Sequence, residues 1–250
     1  MQRLLEIIII LNLSIIDFGE FFNRTVIFIE VKIRMLSAYY TVKHQGADEI
    51  TIQKSRFIAN VKRVESEEEA QEFIQSIKKE HRDATHNCSA YIIGETDHIQ
   101  KANDDGEPSG TAGVPILEVL KKKGLKDTAV VVTRYFGGIK LGAGGLIRAY
   151  GSATTQGIKT TGIVRRELMQ GVSVTVEYPL LGKLENEVRQ QSNYILENIH
   201  YLENVAFIIY VKTEETDTFK NWIIEMTNAQ VTIELLDQKY VEIDVNDTPS

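Results

Sequence analysis

The chain has 250 residues, 43% hydrophobic and 25% charged, with a net charge of −7; this is the composition of an ordinary globular protein long enough for two domains of normal size. Its single cysteine, Cys88, excludes an internal disulfide and a multi-cysteine metal knot, which suits a reducing cytoplasmic compartment, and four prolines argue against a proline-rich linker. Charge is unevenly placed: residues 35–165 carry 18 Lys and Arg against 16 Asp and Glu, whereas residues 168–250 carry 5 against 14.

Residues 1–34 differ in composition from everything after them. The ten-residue run Ile7 to Ile16, apolar but for Asn12 and Ser14, is about half of the roughly 20 residues that a spanning helix needs, and the segment has only Arg3 toward the basic start of a secretory signal and no small-residue cleavage site. The readings open are an upstream extension with the true start at Met35, an interfacial anchor and a native extra strand. The sharp shift in pattern at Met35 favours the first.

From Tyr39 the pattern is that of an α+β protein. Glu49 to Gln53 and Arg56 to Val64 alternate as strands about a turn or bulge at Lys54-Ser55. Ser66 followed by Glu69 is a capping box, and Ala70, Phe73, Ile74 and Ile77 repeat at helical spacing to about Lys79. Cys88 to Ile93 is a further strand that puts His86 and Cys88 on one face. A catalytic pair would need a stabilised thiolate, and a zinc deaminase a second cysteine, so Cys88 reads as core.

Residues 103–115, NDDGEPSGTAGVP, form a polar loop leading into a helix through Lys123. Asp104, Asp105 and Glu107 could hold Mg²⁺ or act as paired carboxylates, with His86 assisting, but Asp-Gly and Pro-Ser-Gly are also ordinary turn chemistry. The strand Thr128 to Thr133 then enters a second loop with Gly137, Gly138, Gly142, Gly144 and Gly145 among Arg134, Lys140 and Arg148, before a helix from about Gly145 to Lys159. The loop fits neither a Walker A motif nor a dinucleotide fingerprint. If the helix begins near Gly144 or Gly145, its free amides and the three cations form a candidate phosphate seat. The alternative is a tight turn whose glycines let the helix pack closely beside solvated cations. The surrounding field is basic: residues 121–165 hold nine cations (Lys121, Lys122, Lys123, Lys126, Arg134, Lys140, Arg148, Lys159, Arg165) and one acid, Asp127. Such a patch attracts polyanions, and the acidic C-terminal part repels them.

A domain boundary is expected near Arg165 to Met169, separating residues 35–166 from 168–245. The second part reads as strand (Gly171 to Glu177), helix (Leu180 to Gln191), strands (Tyr194 to His200 and Val205 to Val211), helix (Thr216 to Met226) and strand (Val231 to Leu236). That order, βαββαβ, is the ferredoxin-like arrangement. It lacks an RNA-recognition motif and reads as a binding or scaffolding module.

Four ordered segments carry a resemblance: KSRFIA (Lys54 to Ala59), HNCSAYIIG (His86 to Gly94), DDGEPSGTAGVPIL (Asp104 to Leu117) and VVVTRYFGGIKLGAGGLIRAYG (Val130 to Gly151). Over about Met35 to Val245 the chain resembles bacterial members of the IMPACT family. The resemblance implies an N-terminal domain similar to one in a small-subunit ribosomal protein and to domain IV of elongation factor G, and a C-terminal domain similar to domain V of that factor. Related folds bind RNA or nucleoside phosphates. Eukaryotic members of the family regulate translation by binding an activator of a stress kinase through an additional N-terminal domain outside the shared stretch. No reaction is firmly attached to the family.

These readings lead to a non-enzymatic, translation-linked protein that grips an RNA or ribosomal phosphate backbone through Arg134, Lys140, Arg148 and the glycine amides, with no resident cofactor and no membrane partner. The rivals are a Mg²⁺-dependent enzyme for a phosphorylated small molecule and a regulator that binds a protein partner through the acidic C-terminal part. The enzyme gains if the two polar loops face one cleft and loses if they lie on opposite faces.

Overall fold

The computed structural model of the chain describes residues 35–245, and those from Met35 onward form one compact unit. The readings of residues 1–34 lie outside the described residues. Two five-stranded sheets and five helices make up the described fold.

The first sheet has the order β2 (Gly46–Ile52), β3 (Ser55–Arg63), β6 (Thr128–Tyr135), β4 (His86–Ile93) and β5 (Ile99–Asn103), antiparallel throughout. β2 and β3 join through Gln53 and Lys54, both at positive φ (45° and 65°), the backbone that a tight two-residue hairpin demands. Helix α1 (Glu67–Glu80) covers one face through Ala70, Phe73, Ile74 and Ile77, as their spacing requires. Its first turn is capped as expected, with Ser66 Oγ accepting from Glu69 N–H at 3.1 Å. Helices α2 (Gly113–Lys122) and α3 (Gly142–Thr161) cover the other face over Phe57, Ala59, Cys88, Ala90, Val130 and Val132. β4 and β6 are therefore buried on both sides, and their central stretches Cys88 to Ile93 and Ala129 to Val132 are apolar apart from Ser89. Cys88 lies in this core, as read from the sequence.

The second sheet is organised by β7 (Ile163–Val176). The first part of β7 pairs with β1 (Ala38–Val42), and its second part pairs with β9 (Val205–Lys212), which in turn carries β8 (Tyr194–Tyr201). β10 (Thr232–Asp244) runs antiparallel along the other edge of β7 for almost its whole length. With α4 (Leu181–Gln190) and α5 (Thr216–Met226), the elements from β7 onward follow the expected βαββαβ order. Their core is built on period-two positions of β7 and β9, including Val172, Val174, Phe207 and Ile209, against Leu184, Val188, Phe219 and Ile223.

The boundary expected between Arg165 and Met169 falls inside β7, so the chain passes from one half to the other along an unbroken strand. Lys43 bonds Asp244 at 2.6 Å, Arg63 pairs with Glu242, and Arg166 bonds Glu65 at 2.7 Å across this passage. β1 and β5 have no counterpart among the sequence-derived strands. β1 (AYYTV) shows no clean alternation, and β5 (IQKAN) is an exposed edge strand with little apolar content.

Candidate functional site

The first sheet brings both polar loops to one end. β6 finishes there, β4 starts there with His86 opposite Arg134, and β5 leads into the Asp104–Ala112 segment. Both α2 and α3 also begin there. The loops face a common cleft of about 430 Å³ whose lining includes His86, Glu107 and Pro108 on one side and Phe136, Lys140 and Gly142 on the other. The spatial question posed by the sequence is thereby answered: the loops share one cleft.

The three carboxylates of the acidic loop do not converge. Asp104 Oδ1 accepts from the N–H groups of Ala112 (3.0 Å) and Gly113 (2.8 Å), and Oδ2 accepts from Gly110 N–H at 2.8 Å. Burial acts to raise its pKa, but these backbone donors outweigh burial and hold the carboxyl below its ordinary range. Asp104 thus serves as the anion at the start of α2. Asp105, at φ 45°, turns away to accept from Lys78 Nζ and Asn87 N–H, both at 2.6 Å. Glu107 points inward. Among the described residues no three His, Cys, Asp or Glu side chains converge as a metal site requires. The joint Mg²⁺ ligation read from Asp104, Asp105 and Glu107 is corrected accordingly, because two of the three carboxylates are taken up by backbone amides and Lys78.

Glu107 is only 8% exposed, and its Oε1 accepts from Arg134 Nη1 at 2.6 Å and from Tyr150 OH at 2.8 Å. Arg134, 5% exposed, is therefore no free phosphate clamp, and this expectation is also corrected. The reason is strand alternation: two residues after Val132, Arg134 shares the face that packs under α2 and α3. Its guanidinium carbon lies 5.4 Å from the Phe57 ring centre and 5.3 Å from that of Phe136, and its Nε has no hydrogen-bond partner. Burial raises the Tyr150 pKa strongly, with Cys88 and Glu107 acting in the same direction. His86 Nδ1 lies 2.8 Å from the carbonyl oxygen of Asp105, which can only accept, so Nδ1 carries a proton and donates it to this bond. That Nε2 is 3.8 Å from Glu107 Oε2.

The glycines divide by role. Gly137 packs against the β2–β3 hairpin: an added Cβ would stand 2.1 Å from the Lys54 carbonyl, and its N–H donates to Ser55 Oγ at 3.1 Å. Gly138 and Gly142 hold positive φ, 84° and 69°. Helix α3 starts at Gly142, three residues before the expected position, so Gly144 and Gly145 belong to its first turn rather than to the loop. Leu141 at its N-cap provides no side-chain acceptor, and the first turn contains no acid. Lys140 lines the cleft, and Arg148 is exposed further along α3 outside the lining. The wider basic field is partly neutralised: Lys126 bonds Asp97 at 2.6 Å, Lys121 reaches Glu118 at 3.4 Å and Arg165 reaches Glu167 at 3.6 Å.

Sequence reading assigned no role to Tyr150, Phe136, Thr85 or Ser55. Tyr150 carried a usable signal, a hydroxyl on the apolar stripe of a helix, which needs a buried partner. Thr85 and Ser55 act through backbone contacts across 51 and 82 residues, for which the sequence holds no signal.

Comparison with known proteins places both loops inside a recognised domain. The family model described as Impact N-terminal domain matches residues 53–158, and a second model, a domain of unknown function, DUF1949, matches residues 174–230. A Bacillus subtilis protein named IMPACT family member YvyE is 60% identical over 212 residues, 85% of this chain and 97% of the relative. An IMPACT family member of Haemophilus influenzae is 34% identical over 207 residues, 81% of this chain and 98% of the relative. The protein IMPACT homolog of Dictyostelium discoideum is 39% identical over 99 residues, 37% of this chain and 28% of the relative. A solved crystal structure of a hypothetical protein is similar over 81% of this chain and 99% of its own, with a TM-score of 0.52 and 28% identity. Among the described residues no helix is long and apolar enough to cross a membrane.

Proposed function

The chain belongs to the IMPACT family, and from that premise we propose that it is a cytoplasmic, translation-linked binding protein that grips the phosphate backbone of RNA, free or ribosomal, at the start of α3. One observation carries this reading: the first turn of a 20-residue helix is exposed, has no side-chain cap and no acid, and is flanked by exposed Lys140 and Arg148. The first amides of a helix have no intrahelical acceptor, and the dipole favours an anion there. Backbone donors together with two cations suit phosphate oxygens, which carry no sequence information, so binding should be salt-sensitive and sequence-tolerant. The kinship implied with domains IV and V of elongation factor G, and the ferredoxin-like order of the C-terminal half, agree with a ribosomal setting.

The test is binding of the full chain to ribosomes and to short single-stranded RNA across a salt series, beside Lys140→Ala/Arg148→Ala. Arg134 is left intact, because its loss would strand buried Glu107. The expected result is weaker binding by the variant, with a log–log salt slope shallower by about 1.4, two single-strand phosphate contacts at roughly 0.7 each. Equal affinity and slope in both proteins would refute the reading.

A second reading, an enzyme acting on a phosphorylated small molecule, is favoured by the common cleft and by His86 Nε2 facing Glu107 Oε2 at 3.8 Å. His86, oriented by the Asp105 carbonyl, would move the proton, and Lys140 with the α3 amides would hold the phosphate. Turnover of a panel of phosphorylated metabolites, abolished by His86→Gln, would support it; no turnover by the native chain would end it.

A further inference from the structure

We propose that Phe136 is a nucleobase-stacking platform and that the cleft accepts one nucleotide unit, its base on Phe136 and its phosphate at Lys140 and the α3 amides. The inference rests on the phosphate-binding reading above and names the ligand class that the cleft takes.

Phe136 follows the last residue of β6 and is 46% exposed. It is nevertheless held in place. Its backbone N–H donates to Thr85 Oγ1 at 3.0 Å, and the Arg134 guanidinium stands 5.3 Å from its ring centre. Arg134 is itself fixed by Glu107 and lies 5.4 Å from the ring centre of Phe57. A half-exposed phenylalanine with a buried cation against its ring is a positioned aromatic surface, and bases stack on such surfaces whatever their identity.

The rest of the cleft suits the same ligand. Pro108, Leu141, Ala143 and Leu146 supply apolar walls, while Thr85, His86, Lys140 and the buried Glu107–Arg134 pair supply the polar groups. Apolar walls with a few directed polar groups are the usual makeup of a small-molecule site. A phosphosugar alone has no flat π-face to set on Phe136, whereas a nucleotide has both a π-face and a phosphate. At about 430 Å³ the cleft lies toward the small end of ligand pockets, roughly 300–1,000 Å³, so it suits one nucleotide rather than a run of them. Buried Arg134 also lines this cleft, and its Nε has no hydrogen-bond partner.

A nucleotide unit can come from free nucleotide or from an RNA strand, and the experiment separates the two. Binding of AMP, inorganic phosphate and a short single-stranded RNA to the full chain is measured for the native protein, Phe136→Leu, Phe136→Trp and Lys140→Ala. Leucine keeps an apolar cover over Arg134 without a ring; tryptophan restores the ring and adds a fluorophore. Phe136→Leu should weaken AMP or RNA about 5- to 150-fold, the span of one lost base stack, and leave inorganic phosphate unchanged. Phe136→Trp should restore binding, with quenching of its fluorescence, and Lys140→Ala should weaken every probe that binds. Native binding of AMP without RNA identifies free nucleotide as the source and removes the RNA reading alone; RNA without AMP identifies the strand. If Phe136→Leu binds like the native chain, or loses inorganic phosphate equally, the stacking platform is overturned and phosphate binding stands. Failure of the native chain to bind any probe overturns both.

Discussion

Glu107 and Arg134 hold the end of the first sheet together as a nearly dry ion pair, 2.6 Å apart with Tyr150 completing the carboxylate's bonds. Such a pair contributes little net stability over a well-packed apolar substitute, but removing one member leaves an uncompensated buried charge. Glu107→Ala should therefore lower unfolding free energy by about 3–5 kcal/mol in urea titrations. A loss below about 1 kcal/mol, the range of an exposed pair, would show that water enters the site freely. Cys88 gives a pH signature at the same scale. Burial, only partly opposed by the hydrogen bond with Tyr150, pushes its thiol from 9.0 up to about 12. Between those values the unfolded chain releases this proton and the folded chain keeps it. Stability is accordingly full below about pH 9 and falls as pH rises, by up to about 1.4 kcal/mol per pH unit from this group. Urea midpoints measured from pH 8 to 11 should decline more steeply in the native chain than in Cys88→Ala.

Helix α3 and its loop show that glycines close in sequence do different work. Gly137 allows the loop to lie against the Lys54 carbonyl, an approach no side chain permits. Gly144 has only Arg148 Nη1 within reach of an added Cβ, at 3.9 Å, and sits in ordinary helical backbone. Gly137→Ala is expected to cost about 1–3 kcal/mol through forced displacement of the hairpin. Gly144→Ala should be neutral or stabilising by about 0.5–1 kcal/mol, since glycine is the poorer helix former. Thermal melts of the two variants side by side check this, and equal destabilisation would contradict the division of roles. The close approach at Gly137 is to the β2–β3 hairpin, not to the helix as the close-packing turn read from the sequence would have it, and the first turn of α3 is exposed.

β7 couples the two halves of the described fold. Its residues Ile163 to Glu167 pair with β1 and Met169 to Val176 pair with β9, while β10 spans both stretches. Tyr39 and Tyr240 stack edge to face at 5.0 Å beside Arg166, whose guanidinium carbon lies 5.6 and 5.5 Å from their ring centres. With a strand, a ladder and an aromatic cluster shared, neither half can open without exposing the other. A single cooperative transition is expected in calorimetry, with van't Hoff and calorimetric enthalpies equal. Two resolved transitions would mean that β7 acts as a tether between independent domains.

The sequence by itself determined what local periodicity and local chemistry encode. α1 was legible from Ser66, Glu69 and a four-residue apolar stripe, the βαββαβ order from alternating runs and short turns, and the positions of the two polar loops from their glycines and charges. Only the tertiary structure decided that these loops share one cleft, that Arg134 faces inward to Glu107, that Asp104 and Asp105 bond to backbone amides and Lys78, and that β7 crosses the expected boundary. The physical reason is range. A helix cap or a strand alternation is settled within a few residues, whereas the partner of a charge such as Arg134, 27 residues from Glu107 along the chain, is chosen by sheet register and helix packing.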